Sequence, residues 1–416
     1  MRIAFISVFP PARDGIADYS LYLVKSIENA SKNCFLYVMA PTLDGDRSVT
    51  RISKRTILCR IWKMNSIENI MKSIIVLVKA IITVRADVVH IQYRFTREQG
   101  GSAGEPFLAL MLIIRRVARK TKIIVSLHDF WLPNEAEERV RELTSSKLLA
   151  KLYRYYYVAY TRAMLSIPNS IISVVNSMRS PVTTLIKNNT KREVVEVLHG
   201  LPEVSNFSMY NKNSFAKEEN ATESGSGNIF TIVLYGFIRS SKGYHYVVRA
   251  IKRMVTFQPD TRGRVRLLIA GTLPSSEERQ YINYLKKLVR ELGLEDAVRI
   301  VEKYLDANEV SSLFKAADVI VIPYTRRVGP SGVLASSLAY EIPVIVTSDR
   351  KYITIDMNLP ALIVDLDADD IASALLRLMN DEHEYERQLQ KIREYKKSHS
   401  NEEIALSHIR IYSKQF

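Results

Sequence analysis

The chain has 416 residues, 47% hydrophobic and 25% charged, and a formal net charge of +15. That length exceeds one compact core and implies two domains, and the apolar and charged fractions exclude a disordered, collagen-like or disulfide-scaffold protein. The charge is lopsided, +13 over residues 1–205 and +2 over residues 206–416, so the first half is expected to meet something acidic: a membrane surface, a phosphorylated carrier or nucleic acid.

Met1 to Phe9 is apolar and stops at Pro10 and Pro11, which reads as a buried first strand, Arg2–Val8, rather than a signal peptide. Further strands are predicted at Cys34–Met39, Val88–Tyr93, Lys122–Leu127, Ser170–Val175 and Glu193–Leu198, with helices at Asp18–Ala30, Ile67–Val84, Glu105–Arg119 and Lys147–Met164. The second half repeats the alternation. Its strands are Ile229–Tyr235, Val265–Ala270, Val298–Glu302, Val319–Pro323, Val344–Thr347 and Ala361–Val364, and its helices Tyr244–Val255, Ser276–Leu292, Glu309–Ala316, Gly332–Tyr340 and Asp369–Asn380. Continuous Val/Ile strands separated by helices mean parallel sheets covered on both faces. The fold class is therefore α/β, with two doubly wound Rossmann-like domains facing across a cleft. The first is expected over residues 1–205, a polar linker over 206–228, the second over 229–395, and a C-terminal helical segment over 396–416 that returns to the first domain. The longest apolar runs, Ser73–Val84 and Pro106–Ile114, are too short for the ~20 residues of a bilayer span. Cys34 and Cys59 match no zinc spacing or disulfide framework and read as reduced thiols of a cytosolic protein.

Candidate chemistry collects at strand ends, where ligands of such sheets bind. Phe9 to Tyr19 (FPPARDGIADY) follows the first strand. Its Gly15 permits close backbone approach, and a helix start near Asp18 could meet a phosphate or a sugar. His90 to Tyr93 (HIQY) and Leu127 to Asp129 (LHD) put His90, Gln92, His128 and Asp129 at the ends of two strands. Lys147 to Leu165 interleaves tyrosines with Lys and Arg, a pattern that suits core packing on one face or an interfacial helix on anionic lipid. In Leu234 to Gly243 (LYGFIRSSKG) a strand runs into Gly236, and a loop with Arg239 and Lys242 leads to a helix at Gly243. Glycine turn, two cations and a helix N-terminus together form an anion site suited to phosphate. After Tyr324, a Gly-Pro-Ser-Gly loop opens a helix near Gly332, where the amides of Ser331, Gly332 and Val333 could hold a second face of a phosphate chain. The competing role for Ser331 is a simple helix cap.

GIADY, HIQY, LHD, GFIRSSKG, the strand end Ile269 to Gly271, AADVIVIPY and SGVLASSLAYEIPVIVTS occur in that order between about residue 3 and residue 380. The series resembles the GT-B glycosyltransferases, specifically the retaining group called glycosyltransferase family four. The resemblance implies transfer of a hexose from a nucleotide diphosphate sugar, held by the C-terminal domain, to a glycan or lipid-phosphate-linked acceptor at the N-terminal one, with retention of configuration. Arg239 and Lys242 would grip the diphosphate and stabilise charge on the leaving group, which makes a metal or other cofactor unnecessary. Gly15 and Gly236 would approach the donor, with Ser331, Gly332, Val333 and Ser336 beside it. His128 would face the donor sugar, and Asp18, Tyr19, His90, Gln92 and Asp129 lie on the acceptor side. The chain departs from the family at two glutamates normally eight positions apart: anchored on Pro343, those positions hold Val328 and Ser336, and the usual glycine is Glu341. This matches an SGVL variant of the family. The expected location is cytoplasmic, peripheral at the inner face of an anionic membrane, with no nucleic acid partner because no binding module is evident. Two rival readings remain: a nucleotide-sugar epimerase or hydrolase on the same fold, and a degenerate protein that only binds sugar nucleotide.

Overall fold

The computed structural model describes residues 1–12, 15–43, 46–63, 67–94, 105–128, 133–174, 193–197, 201, 229–273, 278–325, 331–348 and 359–415. The chain divides into two compact units, Met1–Gly200 with His399–Phe416, and Leu201–Ser398. The stretch read as a linker, 206–228, lies outside the described residues.

The strands of the first unit are β1 (Arg2–Ile6), β2 (Phe35–Pro41), β3 (Ser48–Arg51), β4 (Thr56–Trp62), β5 (Val88–Tyr93), β6 (Lys122–Leu127), β7 (Ser170–Ser173) and β8 (Glu193–Glu196). They form one sheet in the order β3-β4-β2-β1-β5-β6-β7-β8, parallel throughout except for the β3–β4 hairpin at its edge. The period of two sends alternate side chains to opposite layers. Ile3 and Phe5 pack with α1 (Gly15–Ala30) and the last helix, α12 (Asn401–Ser413). Ala4 and Ile6 pack with α2 (Ile67–Thr83) and α3 (Glu105–Val117). The C-terminal helix thus closes one face of the first sheet, with Ile404, Ala405, Ile411 and Tyr412 buried there. The change of unit falls between Ser398 and His399.

Three elements of this unit are not among the predicted ones. The β3–β4 hairpin escapes because Arg60 interrupts the apolar run. In the fold its guanidinium donates to the carbonyls of Pro41 and Pro10, which satisfies the charge at the sheet edge. Helix α4 (Pro133–Thr144, PNEAEERVRELT) lacks an apolar stripe; it packs against α5 (Lys147–Ser166), and its Ala136 is buried.

In the second unit β9 (Phe230–Tyr235), β10 (Val265–Gly271), β11 (Val298–Glu302), β12 (Val319–Ile322), β13 (Val344–Ser348) and β14 (Leu362–Asp365) form a wholly parallel sheet. Its order is β11-β10-β9-β12-β13-β14. The chain runs outward from β9 to β11 and returns on the other side at β12, so the topological switch point lies between β9 and β12. A crevice opens at the carboxyl ends of strands at such a point. Helices α6 (Tyr244–Phe257), α7 (Arg279–Glu291), α8 (Ala307–Ala316), α9 (Gly332–Ala339), α10 (Ala368–Asn380) and α11 (Glu382–Ser398) follow. Asp306 starts α8 with a capping box: its carboxylate accepts from Asn308 and Glu309 amides at 2.8 and 2.9 Å, and Glu309 reaches back to the Asp306 amide.

Candidate active site

In the second unit the site is built around the switch point. β9 ends at Gly236, whose φ is +119°. Next to it β10 ends at Gly271 (φ +155°), where a Cβ would lie 1.7 Å from the Gly236 carbonyl oxygen. Two backbones therefore meet at a spacing that excludes any side chain at Gly271. From Arg239 the chain turns through a short 3₁₀ segment, Ser240–Lys242, to Gly243 in the left-handed region (φ +66°). There a Cβ would stand 2.0 Å from the carbonyl oxygen of Pro323, beyond the end of β12. The Thr325 amide donates to the Ser241 carbonyl at 3.1 Å, which ties the turn to the same strand end.

Lys242 does not project into water. It is buried (9% exposed), and its ammonium sits 3.6 Å from the centre of the Tyr324 ring, a cation–π contact that fixes the charge beside the strand ends. Arg239 is half-buried on the extended residue before the turn. The expectation of open amides at the helix start is corrected. The Tyr281 hydroxyl accepts from the His245 amide at 3.3 Å, and the Gly243 amide donates to Ser240 at 3.1 Å. Positive charge here comes from the two side chains rather than from the α6 terminus. Tyr281 and Tyr324, neither of them predicted as a site residue, are the supporting residues. The signals for Tyr324 were its place at a predicted strand end and at the close of AADVIVIPY.

Ser331 caps α9: its Oγ accepts from the Leu334 amide at 3.3 Å and lies 3.3 Å from the Tyr324 hydroxyl. Capping and proximity to the site therefore coexist at Ser331. The amides of Gly332 and Val333 belong to the first turn, which has no preceding helical carbonyl to meet them. Val333 also lies close to Gly236, its Cγ2 3.8 Å from where a Gly236 Cβ would stand. Ser336 is half-buried on the next turn, and Val328 lies outside the described residues. Glu341 adopts φ +56°, the left-handed backbone that favours glycine. Its carboxylate accepts from Lys396 at 2.7 Å and from Arg393 at 3.1 Å, and these partners, Lys396 foremost, hold it below the usual carboxylate range against the opposing effect of burial.

In the first unit, α1 starts at Gly15, three residues before the expected start, so Gly15 is its first residue and Asp18 stands within the first turn. Gly15 is exposed, and a Cβ there would meet nothing within 4 Å. Tyr19 is buried and stands edge-on to His128, ring centroids 5.0 Å apart, and burial raises its phenol pKa. His90, expected to face a ligand, is instead fully buried. Its Nδ1 lies 2.6 Å from the Tyr412 hydroxyl and its Nε2 2.7 Å from Ser126 Oγ. Desolvation, with His408 and His128 adding to it, holds its imidazole well below the usual histidine value. Gln92 bridges His90 (3.1 Å) and His128 (2.6 Å). His128 is 4% exposed at the end of β6, and Asp129 lies outside the described residues.

The comparisons with known proteins point the same way. Residues 229–381 match the family model described as "Glycosyl transferases group 1". A D-inositol 3-phosphate glycosyltransferase of Stackebrandtia nassauensis is 29% identical over 147 residues, 35% of this chain and 33% of that protein. The chain spans about a third of the length of such curated relatives. Over the whole length the fold is shared with sucrose-phosphate synthase of Thermosynechococcus elongatus (TM-score 0.68, 16% identity, 99% of this chain and 98% of that one). It is also shared with Anabaena HepE in complex with UDP and glucose (TM-score 0.64, 13% identity, 100% of both chains). The fold class is GT-B, two parallel-sheet α/β domains, and together with the matched group 1 region it supports a glycosyltransferase.

Proposed function

We propose that this chain is a glycosyltransferase that moves a hexose from a nucleotide diphosphate sugar to a glycan or lipid-phosphate-linked acceptor, with retention of configuration. One observation carries the reading. At the switch point of the second sheet, within the region matching group 1 glycosyltransferases, Arg239 and Lys242 stand on a turn whose two flanking glycines keep the backbone bare of side chains. Cations held in place before the reaction stabilise charge that develops on a departing diphosphate without reorganising for it. The Tyr324 ring keeps Lys242 Nζ in position, and the first-turn amides of Gly332 and Val333 supply further donors. In this reading Gly15 brings its backbone to the phosphates, and Gly236 and Ser336 line the donor. His128 offers a hydrogen-bonding nitrogen toward the transferred sugar, and Asp18, Tyr19, Gln92 and Asp129 stand on the acceptor side. The charge on the diphosphate is met by side chains, so transfer should proceed without added divalent cation.

The structural neighbour HepE is solved with UDP and glucose, which favours a uridine nucleotide as the first donor to try. The test is a thermal-shift screen of UDP-, GDP- and ADP-sugars, followed by transfer assays with a labelled hit. Because a ligand bound only by the folded state raises its melting point, a true donor shifts the transition upward. Arg239→Ala and Lys242→Ala should each cut transfer by two to three orders of magnitude, comparable to removing a preplaced charge-stabilising donor at about 10²–10³. Sugar released or inverted at one carbon without any acceptor would establish the epimerase or hydrolase instead. Binding without turnover under all acceptors would leave a degenerate nucleotide-sugar binder.

The acceptor is inferred to be presented at the inner face of a membrane. On α5 the side chains of Leu148, Leu149, Leu152, Tyr155 and Tyr156 form an exposed stripe, with Lys147 and Lys151 exposed alongside. Apolar anchors beside cations suit the surface of an anionic bilayer. No helix among the described residues is long and apolar enough to cross one.

A further inference from the structure

Tyr244 is the first residue of α6, directly after the left-handed Gly243, and its side chain is fully buried in the core of the second unit. Its hydroxyl reaches back to the end of β9. A Cβ at Gly236 would stand 3.9 Å from Tyr244 Oη and 3.8 Å from Val333 Cγ2, an ordinary contact distance from both. The two side chains and the bare glycine therefore bound a slot that a single atom fills. The slot opens at the strand end that leads into the Arg239–Lys242 turn.

Tyr244 Oη is enclosed, yet it has no hydrogen-bond partner among the described residues. The neighbouring phenols differ. Tyr281 Oη accepts from the His245 amide at 3.3 Å and lies 3.0 Å from His245 Nδ1, and Tyr324 Oη lies 3.3 Å from Ser331 Oγ. A buried hydroxyl left without a partner is costly and uncommon in a folded protein, and a phenylalanine would fill the same core space without that cost. A hydroxyl that the fold does not use is set for a partner from outside.

The walls of the slot decide between a water and an anion. A trapped water needs about three polar partners. The wall opposite the hydroxyl is a Val333 methyl, and the Gly236 carbonyl is turned to Gly271, 1.7 Å from where a Cβ there would be. An anionic oxygen asks only for donors. Burial, with the phenols of Tyr324, Tyr281 and Tyr235 adding to it, raises the Tyr244 pKa well above its ordinary value against the opposing pull of Arg239. The hydroxyl therefore keeps its proton and donates. Arg239, close enough to act on that phenol, and the first-turn amides of Gly332 and Val333 are further donors.

We propose that the slot between Gly236, Val333 and Tyr244 takes one phosphoryl oxygen of the donor, and that Tyr244 Oη donates a hydrogen bond to it. The inference rests on the proposed function for the identity of that group, a diphosphate joining a nucleoside to a sugar. Gly236 is then bare for two reasons: its φ of +119°, and the oxygen whose place a side chain would take.

The test is isothermal titration of the full-length protein with UDP, GDP, ADP and inorganic pyrophosphate, beside thermal melts without ligand. Tyr244→Phe removes the hydroxyl alone. Its melting point should equal or exceed that of wild type, because no hydrogen bond within the fold is lost with it. Its affinity for the preferred nucleoside diphosphate and for pyrophosphate should fall about tenfold to a hundredfold, the range for a hydrogen bond to a charged group. Tyr385→Phe is the contrast. That hydroxyl donates to the Asp318 carbonyl at 3.1 Å, so its loss should lower the melting point and leave both affinities alone.

Unchanged affinities in Tyr244→Phe overturn the proposal, as does a clearly lower melting point, which would reveal a partner within the fold. Weaker nucleotide binding with pyrophosphate bound as before also overturns it, since the hydroxyl would then serve the ribose or the base. Should Tyr244→Phe not fold, Gly236→Ala takes its place: the added methyl occupies the slot without a clash, and unchanged affinities there overturn the proposal. Weaker binding in a protein that transfers no sugar upholds the contact and sinks the proposed function alone. Wild type that binds none of the four ligands overturns both.

Discussion

Gly243 carries two constraints at once, a left-handed backbone (φ +66°) and a carbonyl oxygen 2.0 Å from where a Cβ would be. An alanine there adopts the left-handed conformation at a cost of about 1–2 kcal/mol and must also push Pro323 aside, so Gly243→Ala should destabilise the second unit by at least about 2 kcal/mol. Urea unfolding measures this, and a loss under about 0.5 kcal/mol, the range of neutral surface changes, would contradict the geometry. Gly15 is the contrasting case: exposed, helical, and with nothing within 4 Å of an added methyl. Gly15→Ala should leave the unfolding midpoint unchanged or slightly raised, because alanine is the better helix residue. A loss of donor binding in that variant would then report a ligand brought close to the backbone. Both glycines were visible in the sequence as turn residues. Which of them the protein's own packing demands was not visible, because Pro323 reaches Gly243 only through the pairing of β12 beside β9.

At the scale of elements, α9 and its exit show how the fold accommodates a glutamate where the sequence reading expected a glycine. Glu341 takes the left-handed place of a glycine, and its carboxylate holds Lys396 and Arg393 on α11. Its side chain is 37% exposed, so each pair is screened and contributes only about 0–1 kcal/mol. Glu341→Gly loses the pairs but relieves the backbone and should be close to neutral, whereas Glu341→Ala loses the pairs and keeps the strain, costing about 1 kcal/mol. Thermal melts of the two variants distinguish them, and equal losses would argue against strain at this turn. Because the folded-state carboxyl is lowered, its contribution is present above the ordinary carboxylate value and fades as pH falls through the lowered one. Helix α5 makes the second prediction at this scale. Replacing Leu148, Leu152 and Tyr155 with serine should abolish sedimentation with phosphatidylserine vesicles while leaving the melting point unchanged, since all three are exposed. Binding that persists would remove the membrane from the proposal. The alternation of apolar residues left core and interface equally open for this helix, and the packing of Ala150, Tyr157, Met164 and Leu165 showed which stripe faces the core.

For the molecule as a whole, the first unit depends on histidines that stay neutral. His90 and His408 are fully buried, and desolvation lowers both, His408 to about 4. The unfolded chain takes up their protons near pH 6.5 and the folded one only well below, so stability is complete above about pH 6.5 and falls as pH drops toward the lowered folded values. The expected slope is about 1.4 kcal/mol per pH unit for each histidine. Urea midpoints for the first unit at pH 7, 6 and 5 should decline accordingly, and His408→Leu should flatten the curve. A midpoint independent of pH would mean that the two side chains are not buried in solution.

Most of the order of elements, and the cationic strand-end turn on which the proposed donor site rests, were legible in the sequence itself. Continuous apolar runs between helices specify parallel strands, and a glycine followed by Arg239 and Lys242 specifies an anion turn, because both are local matters of backbone and charge. Local pattern could not say that Lys242 lies on Tyr324, that the amides of α6 are taken by Tyr281, or that His90 is core rather than surface. It also could not pair β5 with a helix more than 300 residues later, the contact that puts Tyr412 against His90. Each of these was decided only by the tertiary structure, since the partner lies far along the chain and is brought near by sheet order and burial.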